Sequence, residues 1–313
     1  MIDWIRDRVV GSTTELFSHG PQPLAHTLEH RGDPGLLGPG SVSWPVVGDA
    51  AAFVGGIRAL LVQTAHPEVV AGVEQHSRYR TDPLGRLTRT SAYVTETTYG
   101  AMAEVDAAVA AVRSAHAPVR GRSERGAPYR ATDPALAAWV HNVLTDSFLV
   151  AYQAYGPEPL SPSDADRFVA EQRTVGALLD AAPLPSGAAA LADWVGHHPE
   201  IEPSAAQREA IEFLRKPPLP LPVRAGYELL FRAAVATLPA GIASVVGLRA
   251  GRHDARIGAA AVRSLRWALG SSPSWHVALV RTGAPVPEGR FRQPLRVAAT
   301  TGRSGHIADA HAH

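Results

Sequence analysis

Residues 86–116 read RLTRTSAYVTETTYGAMAEVDAAVAAVRSAH. Gly100 divides this stretch into two helical segments, because glycine is the residue that most often follows the end of a helix. We therefore predict one helix over 86–99 and a second over 101–116. Helical segments of the same kind recur along most of the chain, so the predicted fold class is all-α, a multi-helix bundle.

The second of these helices carries a histidine on its apolar face. Its apolar stripe recurs at spacings of three, four and three residues: Met102, Val105, Val109 and Val112. His116 lies four residues beyond Val112, and therefore on the same face. An imidazole in this position can be a packed core residue, a catalytic base or a metal ligand, and the spacing leaves all three open. The small aliphatic groups that precede it would accept a flat apolar ligand.

The first helix has a polar face. Arg86 and Thr90 are four residues apart and Tyr93 is three further on, so all three share that face, with Arg89 beside them. Such a face is ordinarily solvated. If it faced a cofactor, it would instead donate hydrogen bonds to a bound oxygen or a carboxylate. Arg120, just after the second helix, is a further candidate for contact with an anionic group.

Composition excludes several kinds of chemistry. The 313 residues include 30 Lys+Arg against 29 Asp+Glu, a balance that argues against a nucleic-acid-binding protein. The absence of cysteine excludes disulfides, thiolate metal sites and a cysteine-ligated haem. Lys216 is the only lysine, and its proline-rich surroundings argue against Schiff-base or phosphate-loop chemistry. Histidine, arginine, carboxylates and hydroxyls remain.

The chain divides into three predicted parts. Residues 1–49 are rich in glycine and proline and are expected to form an irregular arm. Residues 50–283 are expected to form a single helical domain, in which only 275–281 resembles a strand. Residues 284–313 are expected to be a partly disordered tail. No apolar run reaches the roughly twenty residues of a bilayer span, and the first residues do not resemble a signal peptide, so we expect a cytoplasmic location.

Other histidines are weaker candidates. His141 follows Trp139-Val140 in a predicted helix and is the second choice as a ligand. His197 and His198 resemble a metal motif, but they are adjacent and Pro199 breaks the helix that a His-Glu-x-x-His site requires. His66 is expected to cap a chain end and His76 to form a surface pair.

Five sequence fragments, in this order, resemble the oxygenase MpaB and rubber oxygenase (latex-clearing protein) family. The fragments are 59–67 (ALLVQTAHP), 72–77 (GVEQHS), 82–90 (DPLGRLTRT), 116–121 (HAPVRG) and 129–134 (YRATDP), the last leading into 139–141 (WVH). The similarity extends over about residues 40–250.

The resemblance implies a globin-like helical core that holds haem b. His116 matches the histidine that ligates the iron on the proximal side, and Arg86 and Thr90 match residues beside the distal pocket. Arg89 stands where the latex-clearing branch has a lysine, and a guanidinium is not an iron ligand. The distal position is therefore expected to be open or held by water. Glu68, Glu74 and Glu96 are candidates for a glutamate base.

The interpretation of the residues and the family resemblance agree, because histidine is the natural proximal haem ligand in a chain without cysteine. A haem between the two helices would contact Val109 and Val112, and its propionates would need arginine. The first hypothesis is thus a cytoplasmic haem oxygenase that uses dioxygen on a small apolar substrate, by oxygen insertion, double-bond cleavage or dehydrogenation. A haem or gas carrier or sensor, and a helical protein without a cofactor, are the alternatives. The oligomeric state is left open.

Overall fold

The computed structural model describes residues 6, 8, 10, 11 and 22–295, and it is about 62% helical. In this part of the chain there are thirteen α-helices and one two-stranded sheet, which confirms the predicted all-α class. The helices are α1 (Ser43–Gly48), α2 (Ala51–Gln63), α3 (Pro67–His76), α4 (Pro83–Tyr99), α5 (Met102–His116), α6 (Pro134–Tyr155), α7 (Pro162–Ala177), α8 (Ala188–Gly196), α9 (Ala205–Arg215), α10 (Leu221–Val235), α11 (Ala240–Val245), α12 (Asp254–Leu269) and α13 (Pro273–Thr282).

Several helices begin where an acidic or hydroxyl residue precedes a proline. Asp82 accepts a hydrogen bond from the Gly85 amide at 2.9 Å, and Asp133 accepts one from the Ala135 amide at 2.8 Å. These side chains satisfy amides that the first turn leaves free, while the proline that follows needs no donor there.

The core forms around the contact between α2 and α6, with α10 packed on α2 and α12 packed on α10. Arg58 of α2 lies inside this contact. Its guanidinium donates to Asp146 Oδ2 and to Ser147 Oγ, each at 2.7 Å, and to the Thr237 carbonyl at 3.2 Å. The charge is thus paired and hydrogen-bonded within the core, as a buried arginine requires.

A second, smaller core joins the start and the end of the described chain. Leu24, Trp44, Tyr99 and Trp275 pack together there. Buried Arg281 of α13 donates to Thr27 Oγ1 at 2.7 Å, to the Tyr99 carbonyl at 2.6 Å and to the Asp33 carbonyl at 3.0 Å. We call these contacts the Arg281 clasp.

The strand predicted over 275–281 is wrong, since these residues lie in α13, where Ser272 caps the first turn. Most of this helix is apolar because it is buried on several sides, and a short, nearly continuous apolar run does not distinguish a helix from a buried strand. The only strands of the described chain are β1 (Arg120–Arg122) and β2 (Pro128–Arg130), an antiparallel pair in which Gly121 lies opposite Tyr129.

The expected irregular arm contains, in its described part, a 3₁₀ turn over Thr27–His30 and helix α1. Residues 284–295 of the expected tail are described, and Phe291 bridges to Gly270. The rest of the tail, 296–313, lies outside the described residues, as do 1–5, 7, 9 and 12–21. Among the described helices, none combines the length and apolar character needed to cross a membrane.

Candidate functional site

A cavity of about 2510 Å³ lies between α2, α4, α5 and α6 and extends past α10 and α12. Typical ligand pockets are on the order of 300–1,000 Å³, so this one has room for more than one small molecule. Its central walls are mostly apolar, with side chains from α2 and α6: Phe53, Ile57, Leu60, Leu136, Val140, Leu144 and Phe148.

His116, the last residue of α5, lies on the cavity wall. Its ring has no hydrogen-bond partner among the described residues, and burial lowers the pKa of the imidazole. The ring is therefore neutral at physiological pH, with a free lone pair. Val112, one turn earlier, also lines the cavity, whereas Val109 does not. Met102, at the far end of the predicted stripe, is 37% exposed and does not line the cavity.

The predicted polar face of α4 also lines the cavity, with Arg86, Thr90 and Tyr93. Arg86 donates to Ser77 Oγ at 3.1 Å, and burial lowers the pKa of its guanidinium. No described carboxylate lies within ion-pair distance of Arg86. Burial raises the pKa of Tyr93 to about 12, so its hydroxyl stays protonated and can donate a hydrogen bond. This face presents donors to the cavity, among them an unpaired cation.

The other two predicted arginines are placed differently. Arg89 lies at the cavity rim, but its side chain is 64% exposed and contacts Asp82 Oδ2 at 3.4 Å. Arg120 is exposed in β1 and is not among the cavity residues, and its carbonyl hydrogen-bonds His76 Nε2 at 3.1 Å. His76 therefore contacts the hairpin backbone rather than forming the expected surface pair.

His141 lines the cavity from α6, but its ring is held against α7. It hydrogen-bonds the backbone of Gln172, and Thr145 Oγ1 lies 3.4 Å from Nε2. A Cβ at Gly176 would lie 2.6 Å from His141 Cδ2, so only glycine leaves room for the ring. Burial lowers the pKa of His141 to about 4. Of the two predicted ligands, His116 is thus the one whose ring has no hydrogen-bond partner within the described part of the chain.

The three candidate glutamates have different surroundings. Only Glu68 lines the cavity, and it accepts hydrogen bonds from Ser123 Oγ at 2.6 Å and Arg125 Nε at 2.8 Å. Burial alone would raise the pKa of Glu68, but the hydrogen bonds from Arg125 and Ser123 hold it below the usual range. Burial raises the pKa of Glu96 to about 7, and the negative charge of Glu104 contributes a smaller part of this shift. Glu74 accepts from the Tyr79 hydroxyl at 2.7 Å.

The remaining histidines of the described chain form no metal centre. Buried His66 places Nδ1 3.2 Å from Glu68 Oε2, and His198 lies between Trp139 and Trp194 with ring centroids 4.7 and 4.6 Å away. Within 22–295 and the four earlier described positions, no group of three or more His, Asp or Glu side chains is arranged to hold a metal ion. A haem iron needs only one or two protein ligands.

One family model matches residues 44–267, and its description is "ER-bound oxygenase mpaB/B'/Rubber oxygenase, catalytic domain". The matched region runs from α1 into α12 and includes His116, the polar face of α4 and the apolar walls of the cavity. No curated protein and no solved structure gives a significant match to the chain.

Proposed function

Because the chain belongs to the ER-bound oxygenase mpaB/B'/rubber oxygenase family, we propose that it is a haem-b-dependent oxygenase acting with dioxygen on an apolar organic substrate. The resemblance deduced from the sequence is thereby confirmed, and with it the oxygenase class and the oxidoreductase kind of enzyme. The haem, the ligand and the substrate are our proposal.

One observation carries the proposal: a neutral imidazole, His116, and a guanidinium without a carboxylate partner, Arg86, line the same large and mostly apolar cavity, and the imidazole has no hydrogen-bond partner among the described residues. His116 would ligate the iron, with Val112 against the macrocycle. Arg86 would receive an anionic group of the cofactor or stabilise bound oxygen, since a partly buried cation without a carboxylate is a site that favours a negative partner. The haem, when bound, supplies the redox-active iron that allows dioxygen to react with an organic molecule.

The distal residues of the chain position the reactants. The hydroxyl of Thr90 donates to the Arg86 carbonyl at 3.1 Å in this structure, and it can turn to donate into the cavity. The Tyr93 hydroxyl has no described partner and supplies a second donor. Arg89 is held at the rim by Asp82 and would not ligate the iron of a bound haem, because a guanidinium has no lone pair to donate. The apolar walls exclude water and bind the substrate.

Haem titration of the purified protein tests this assignment. We expect His116→Ala to lose haem, with the loss of its absorption band, whereas His141→Ala retains it, because the His141 ring is held by α7. The opposite result would show that the ligand assignment is wrong.

A second variant separates binding from chemistry. Thr90→Ala should keep the haem spectrum and slow substrate-dependent oxygen consumption. Haem binding by the wild-type protein without any such consumption, across a panel of apolar substrates, would indicate a haem or gas carrier or sensor instead.

A further inference from the structure

An exposed apolar tip lies between α9 and α10. The segment reads Lys216-Pro217-Pro218-Leu219-Pro220-Leu221, and we call it the proline loop. Leu221 is 71% exposed, more than any other large apolar side chain among the described residues. An isolated exposed leucine is common on protein surfaces and by itself indicates nothing.

The tip is surrounded by unpaired positive charge. Arg215, Lys216 and Arg224 are exposed, and none of them has a carboxylate partner in the part of the chain that the structure describes. No acidic residue occurs from 213 to 227. By contrast, Arg232, further along α10, pairs with Glu228 at 3.1 Å. An apolar tip within a cluster of cations is the pattern of an interfacial membrane contact.

The proline loop also forms part of the opening of the cavity. Pro217, Pro218 and Leu219 line the cavity, and Pro218 is at the same time exposed. The base of the loop is fixed, because the Tyr227 hydroxyl on α10 donates to the Leu214 carbonyl on α9 at 2.6 Å. The apolar tip and the opening are therefore held next to each other.

We propose that the proline loop docks the protein on a membrane surface that carries anionic lipids. Leu221 would enter the boundary between headgroups and acyl chains, and the three cations would contact lipid phosphates. A lipid surface fits this position better than a protein partner, because one exposed apolar side chain among three cations without carboxylate partners matches the boundary between acyl chains and anionic headgroups. That the substrate enters from the bilayer rests on the proposed function, whereas the docking itself does not.

Vesicle flotation of the full chain tests the proposal. The probes are vesicles of phosphatidylcholine and vesicles of an equal mixture of phosphatidylcholine and phosphatidylglycerol. We expect salt-sensitive binding to the mixed vesicles and weaker binding to the neutral ones. Leu221→Ser should lower partitioning at least about tenfold, and Lys216→Gln and Arg224→Gln roughly five-fold each. The matched controls are Val286→Ser, at a side chain 41% exposed, and Arg249→Gln, both outside the loop.

Unchanged binding of Leu221→Ser, equal losses in the controls, or no binding of the folded wild-type protein would overturn the proposal. So would preferential binding of the loop to a polyproline-recognising domain, such as an SH3 domain, in place of vesicles. The outcome is independent of haem: a chain that floats with vesicles but takes up no haem disproves the proposed function alone. A chain that takes up haem but ignores vesicles disproves only the docking.

Discussion

Breaking the ion pair between α2 and α6 should strongly destabilise the protein. Arg58 and Asp146 lie 2.7 Å apart, and their side chains are 1% and 5% exposed. Asp146→Ala leaves the guanidinium buried with only Ser147 and the Thr237 carbonyl as acceptors. Removing one partner of such a pair costs about 3–5 kcal/mol, because an uncompensated charge remains in a medium of low polarity. That is a large share of the roughly 5–15 kcal/mol by which most proteins are stable.

The chain offers a matched control with the same geometry in solvent. Arg113 and Asp180 lie 2.8 Å apart, but their side chains are 51% and 65% exposed. Water screens this pair, so Asp180→Asn should cost less than about 1 kcal/mol. A double replacement, Arg58→Met with Asp146→Leu, should recover most of the loss, since apolar side chains of similar size leave no buried charge.

Urea unfolding followed by circular dichroism measures all three changes, provided that each transition is two-state. A loss of less than about 1 kcal/mol in Asp146→Ala would refute the reasoning, since it would equal that of a solvated pair. A double replacement as unstable as Asp146→Ala would show that packing, rather than the unpaired charge, causes the loss.

Three further outcomes are expected. Gly176→Ala should lower the stability by about 1–3 kcal/mol, because the new Cβ displaces the His141 ring, and should leave haem binding through His116 intact. Thermal unfolding and haem titration measure the two effects, and loss of haem would contradict the prediction. Burial lowers the pKa of His66 to about 4, whereas this ring becomes protonated near pH 6.5 in the unfolded chain. The neutral ring therefore makes its full contribution to stability above about pH 6.5. Between that pH and pH 4 the contribution declines by at most about 1.4 kcal/mol per pH unit. Urea titrations at pH 7 and pH 5 should show that the free energy of unfolding changes less with pH in His66→Gln than in the wild-type protein. An equal change in both proteins would count against this explanation. Arg125→Met should cost about 2 kcal/mol or more at pH 7, because the buried Glu68 carboxylate keeps Ser123 as a donor but loses its cationic partner. The cost should be smaller at pH 4, because burial without Arg125 favours the neutral form of Glu68, and protonation then removes the buried charge. A loss independent of pH would point to packing.

Most helix positions could be predicted because local signals determine them. Asp133 and Ser161 each precede a proline, and each caps a helix in the structure. Asp82 does the same, so the helix predicted over 86–99 begins earlier than expected, at Pro83. The hairpin of β1 and β2 was missed because each strand has three residues, and β1 is Arg-Gly-Arg, a composition without strand character. Here tertiary contacts with α3 stabilise what the local sequence does not indicate.

The spacing along α4 predicted that Arg86, Thr90 and Tyr93 share one helical face, which is a local property, and these residues line the cavity together with His116 of α5. The rotation of each helix about its own axis depends on packing against other helices. The sequence therefore did not indicate that Val109 and Arg120 would not line the cavity. The network of Glu68 with Arg125 joins residues 57 positions apart, and the pair of Arg58 with Asp146 joins residues 88 apart. No periodicity in one sequence links such partners.

The Arg281 clasp has a practical meaning for anyone who shortens this chain. The region that matches the family stops at residue 267, so trimming to 44–267 removes Arg281 and Thr27 but keeps Tyr99 and Trp44. Their ring faces would then be open to water, and the Tyr99 carbonyl would lose its donor. Aggregation of such a fragment would result from the lost contacts between residues 24–33 and α13. It would not show that the region matching the family is unable to fold.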